Sequence, residues 1–145
     1  EHIFPWIMQI GVTHAGWYSI DLLDNLGKPS AEVILPEFQH PQIGNIIPMS
    51  PDGKNGMIIK NFLPDQWMLW GNKTDDMTWV WGLYPIDENH TRLITRVRLK
   101  YHWLSPSIIF ELLVEFTDII MMRKCMFGIQ RRAERLAREA EISST

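Results

Sequence analysis

The chain has 145 residues, 46% hydrophobic and 21% charged, with a formal charge of −3. That length can bury a sizeable core without disulfide or metal support, and the composition excludes disordered, collagen-like and fibrous chains. Glu111, Glu115 and Asp118 interrupt the most apolar region, so no transmembrane segment is expected.

Charge is unevenly spread. Residues 1–90 carry 4 Lys/Arg against 11 Asp/Glu, a balance of −7, while residues 91–145 carry 10 against 6, a balance of +4. An acidic total argues against a nucleic-acid partner, whose binders are basic on one face. The single Cys125 makes no internal disulfide and no cysteine metal cluster, which points to a reducing compartment, the cytoplasm. The chain opens on Glu1 and enters an apolar run, Ile3 to Ile10, without the basic start or cleavage site of a signal peptide.

In chain order, Pro5 among the apolar residues of 2–10 suits the first turn of a helix that Gly11 ends. Apolar residues at 18, 22, 23 and 26, followed by Gly27, predict a second short helix from Ser19 to Leu26. Pro29, Pro36 and Pro41 make residues 28–44 an irregular connection. The period then changes to two. Asn45–Met49, Met57–Leu63, Gln66–Asn72, Asp76–Tyr84 and Thr91–Tyr101, separated by turn-forming clusters, predict an antiparallel meander of five strands. In the last strand Leu93, Thr95, Val97 and Leu99 alternate with Arg92, Ile94, Arg96, Arg98 and Lys100, giving an apolar face and a solvated cationic one.

Ser105-Pro106 predicts the start of a helix to about Glu115, and Thr117 or Asp118 is a cap for another. In the latter, Ile119, Met122, Met126, Ile129, Ala133, Leu136 and Ala140 form an apolar stripe that is expected to lie on the sheet. A coiled coil is the weaker reading, because two of the seven seam positions are Ala.

Several words of the sequence match a known family in the same order. Trp6-Ile7-Met8-Gln9-Ile10-Gly11, Ala15-Gly16-Trp17-Tyr18-Ser19-Ile20-Asp21, Leu35-Pro36-Glu37-Phe38-Gln39, Thr91-Arg92-Leu93-Ile94-Thr95-Arg96 and Met121-Met122-Arg123-Lys124…Gly128-Ile129 resemble a bacterial branch of the START-like, polyketide cyclase/dehydrase and lipid-transport (SRPBCC) superfamily. The resemblance implies an α+β helix-grip fold: a curved antiparallel sheet wrapped around a long C-terminal helix, with two short N-terminal helices. It also implies a cavity between sheet and helix that takes apolar molecules. The family's opening strand has no counterpart after Glu1, so the expectation is one helix-grip domain over residues 1–145, truncated at its N-terminus. A free sheet edge would then invite a homo-oligomer.

The predicted ligand-binding set is Trp79, Trp81 and Leu83 on one strand face, Val97 on the next strand, Met122 and Met126 on the helix, and Tyr18 as the one hydrogen-bonding group. Tyr18 and Asp21, three apart, otherwise close the domain through hydrogen bonds to the loop. Trp67, Trp70 and Trp103 are assigned to an interface or a pocket mouth. The five histidines lack metal-ligand spacing, and no nucleophile elbow or glycine-rich phosphate loop is present, so no metal, cofactor or catalytic residue is expected. Cys125 reads as a small buried hydrophobe. Three functions follow in order: binding of a hydrophobic small molecule or lipid without catalysis, a cyclase/dehydrase or hydrolase using polar cavity residues, and a structural domain with a filled core.

Overall fold

The computed structural model describes residues 2–53, 55–100 and 108–143, with the backbone course alone for 108–118. Two short helices, α1 (Phe4–Met8) and α2 (Asp21–Asp24), precede a five-stranded sheet of β1 (Ile46–Pro48), β2 (Gly56–Leu63), β3 (Trp67–Gly71), β4 (Met77–Pro85) and β5 (Thr91–Leu99). The long helix α3 (Ile108–Ser143) follows. The sheet is an antiparallel meander in the order β1-β2-β3-β4-β5, curved and open, and with α3 it makes an α+β, helix-grip-like fold. No helix among the described residues is long and apolar enough to cross a membrane.

The period-two pattern sets which side chains meet. Register aligns Ile59 with Trp70, Trp70 with Trp79 and Trp79 with Val97, so one inward row crosses four strands. A register shift between Ile59 and Asn61 marks an irregularity in β2, a feature that bends the strand carrying it. Trp70 and Trp81 are fully buried, and Trp79 nearly so, in a ring cluster. Trp79 stacks on Trp81 at 5.3 Å and on Trp17 at 5.7 Å between centroids. Trp70 is therefore core and not a mouth residue, because its position on β3 places it in the inward row; Trp103 lies outside the described residues.

Two elements, α2 and α3, differ from the sequence reading. The second helix is one turn, Asp21–Asp24, because Ile20 before it is extended and Leu26 after it takes a left-handed φ of 53°; Tyr18, ahead of both, is also left-handed, with a φ of 57°. That conformation is held by Ser30 Oγ, which accepts from the Tyr18 amide at 3.1 Å, and by the Tyr18 hydroxyl donating to the Trp6 carbonyl at 3.2 Å. Asp21 closes the same loop, its carboxylate accepting from Asn25 Nδ2 at 2.7 Å and from the Ser30 hydroxyl at 2.5 Å. Gly16 is required here: its φ is +85°, and a Cβ would lie 2.6 Å from both Asn25 and Ser30.

The expected break near Thr117 does not occur, since α3 runs unbroken through Thr117 and Asp118. Neither residue is a breaker, each costing a helix interior no more than about 0.7 kcal/mol. The Ser105-Pro106 start falls outside the described residues. The apolar stripe is also only partly covered. Cys125, Ile129 and Ala133 join the core, Met122 and Met126 are half-buried against it, and Ile119 and Ala140 are exposed. The covered stretch packs on α1 and the segment around Tyr18: a Cβ on Gly128 would overlap the Tyr18 carbonyl oxygen. Arg132, 4% exposed, donates to the Ala31 carbonyl at 2.8 Å and to Glu32, and its guanidinium lies 4.7 Å from the Tyr18 ring centroid.

Candidate functional site

Fastening α3 through its Gly128–Arg135 stretch leaves a space between an earlier part of that helix and the end of the sheet formed by β4 and β5. The result is a cleft of about 890 Å³. Its sheet wall is Met77, Trp79, Thr95, Val97 and Leu99, its helix wall runs from Ile119 to Phe127, and Trp17, Ser19, Leu23 and Asp24 come from the segment through α2. Val97 and Leu99 are 39% and 40% exposed although they stand on the inward face, so solvent reaches this wall through the cleft.

The lining is built for shape adaptation. Met49, Met77, Met121, Met122 and Met126, five of the chain's eight methionines, meet here, and unbranched thioethers conform to irregular guests. Trp17 and Trp79, stacked with an interplanar angle of 18°, supply flat aromatic surface.

Polar groups are few and mostly engaged. Trp79 Nε1 donates to Thr95 Oγ1 at 2.6 Å, and that hydroxyl donates onward to the Val80 carbonyl at 3.2 Å, so this pair is satisfied within the wall. Ser19 Oγ is buried with no partner among the described residues. Asp24 accepts from the Ile20 amide at 3.3 Å, and the exposed Arg123 lies 5.6 Å over the Phe127 ring. Cys125 is buried, and desolvation, helped by the nearby Asp24 charge against an opposing Arg132, pushes its thiol up to about 12. A neutral thiol is a poor nucleophile. The described lining holds one carboxylate and no histidine.

No family model, curated protein or solved structure matches the chain.

Of the residues read from sequence, Trp79, Val97, Met122 and Met126 stand together on the cleft. Trp81, Leu83 and Tyr18 do not. Side chains at 79, 81 and 83 share a face but step about 7 Å apart along the strand, so only the first reaches the cleft. Trp81 is fully buried opposite Met68 and Thr95, and Leu83 lies opposite Leu93 further along. Tyr18 is 4% exposed, its hydroxyl used by Trp6 and its ring covered by Arg132. Ser19, Leu23, Asp24, Met49 and Arg123 were not singled out as lining by sequence; of these only Met49 carries a signal that could have found it, as one of eight methionines in the chain.

Proposed function

We propose that the chain binds a largely hydrophobic small molecule or lipid in the cleft between β4–β5 and α3, without catalysing a reaction on it. The observation that carries this reading is the cleft itself: about 890 Å³, the size range of small-molecule sites, walled by methionine and tryptophan with few convergent polar groups. Its position between sheet and terminal helix is where the resemblance to the START-like superfamily puts a ligand cavity. Affinity in such a site comes from burial and shape, at about 25 cal/mol for each Å² of apolar surface removed from water, before the cost of association. Acid–base or nucleophilic chemistry has little to work with, since Cys125 is held neutral and the described lining has no imidazole.

The test is a titration of fatty acids, sterols and aromatic polyketide-like compounds followed by indole fluorescence. Trp17 and Trp79 are the reporters on the wall. Saturable changes that weaken in Met126→Ala but not in Arg98→Ala, on the outer face of β5, support the reading; no saturable change with any of them rejects it.

A further inference from the structure

The polar groups of the cleft differ in whether the chain already gives them a partner. Ser19 lines the cleft, and its Oγ is buried and pairs with nothing among the described residues, whereas Trp79 donates to Thr95 and Thr95 to the Val80 carbonyl. A buried hydroxyl left unpaired loses the hydrogen bonds it made to water, and a guest that hydrogen-bonds to it recovers that loss. A serine hydroxyl has three staggered positions about one torsion, so it can turn from the wall toward a guest without backbone movement.

Charge then narrows the choice. Asp24 also lines the cleft, its carboxylate bonded to the amide of Ile20, the residue after Ser19. An anionic head seated at Ser19 would face that carboxylate in a partly desolvated wall, where like charges disfavour one another. Arg123 is the one cation of the described lining, but it is exposed, and an exposed ion pair contributes little because solvent screens it.

Resting on the cleft being a ligand site, we propose that its guest is an uncharged amphiphile, an apolar body carrying a hydroxyl or carbonyl group that hydrogen-bonds to Ser19. The body lies over Trp17 and Trp79 and among the methionines, and a carboxylate in place of the hydroxyl is rejected through Asp24.

Displacement of the neutral fluorophore N-phenyl-1-naphthylamine from the full chain, under reducing conditions, tests this with 1-decanol, 1-decanethiol, decanoate and naphthalene. In the unsubstituted chain 1-decanol binds more tightly than 1-decanethiol, although the thiol is the more hydrophobic. Ser19→Ala weakens 1-decanol about 5-fold and leaves naphthalene unchanged. Asp24→Asn strengthens decanoate several-fold and leaves 1-decanol unchanged. Tighter binding of the thiol than the alcohol, or equal effects of Ser19→Ala on 1-decanol and naphthalene, overturns the proposal while leaving an apolar cleft intact. An unchanged decanoate affinity in Asp24→Asn overturns the charge selection. If the fluorophore itself fails to bind saturably, the ligand site falls, and the head-group assignment with it.

Discussion

Gly128 of α3 lies against the backbone of Tyr18, so closely that a Cβ on residue 128 would overlap the Tyr18 carbonyl oxygen. This contact joins the long helix to the N-terminal segment and sets the distance at which the helix wall of the cleft stands from the sheet. In an exposed helix Gly→Ala would gain about 1 kcal/mol. Here Gly128→Ala should instead destabilise by about 1–3 kcal/mol, because backbone must move to admit the methyl group. Urea denaturation of the two proteins measures the sign.

Arg132 is the second fastening, and its neighbours show how unequal arginines can be. Glu32 receives Arg131 at 3.1 Å, Arg135 at 2.8 Å and the buried Arg132. Arg132→Ala leaves the Ala31 carbonyl without its donor, uncovers the Tyr18 ring and should cost about 2–4 kcal/mol. Arg131 is 70% exposed, and Arg131→Ala should stay within about 0.5 kcal/mol. Thermal melts of both variants separate the two cases; equal losses would contradict the burial of Arg132.

Strand order, the approximate spans of the five strands and the inward face of β5 were legible in the sequence because alternation is a local signal, whereas Trp70, read as an interface or mouth residue, is core. Leu93, Thr95, Val97 and Leu99 read correctly as one face of β5. The unbroken α3 was not legible, since Thr117-Asp118 can cap a helix or continue one, and the choice depends on tertiary packing. The site was half legible for a related reason. Period two gave Trp79, Trp81 and Leu83 a common face, but where along that face packing stops depends on how α3 is fastened by Gly128 and Arg132. Tyr18 was misplaced because its left-handed backbone, held by Ser30 from twelve residues away, has no local signature in a non-glycine residue.

Tyr18 also makes the chain alkali-sensitive. Burial, its largest influence, pushes the phenol well above its ordinary value, with Arg132 opposing in part. Between the unfolded value of about 10 and the raised folded one, the unfolded chain has released a proton that the folded chain keeps. Stability is therefore fully present below about pH 10 and falls as pH rises beyond it. Tyr18→Phe should reduce that slope while losing about 1 kcal/mol at neutral pH with the Trp6 bond. Denaturation midpoints at pH 7, 9 and 10.5 test both statements.

Cys125 should be inert in the native chain at pH 8. Its thiol stands at about 12 and is buried, so native alkylation by iodoacetamide should be at least about 100-fold slower than in the urea-unfolded chain, where the pKa returns to about 8.5. Mass spectrometry of timed quenches reads the rates. Comparable rates would mean that the stretch of α3 around Cys125 opens freely.

The cleft's role as a ligand site is tested most directly by filling it. Val97→Trp places a ring in the cleft from an inward position that is 39% exposed, whereas Arg96→Trp adds the same ring to the exposed outer face of β5. Equilibrium binding of N-phenyl-1-naphthylamine to both variants and to the unsubstituted chain, each shown folded by circular dichroism, is the measurement. One saturable site that weakens about 10-fold or more in Val97→Trp and is unchanged in Arg96→Trp is the predicted result; equal affinity in all three proteins would contradict it.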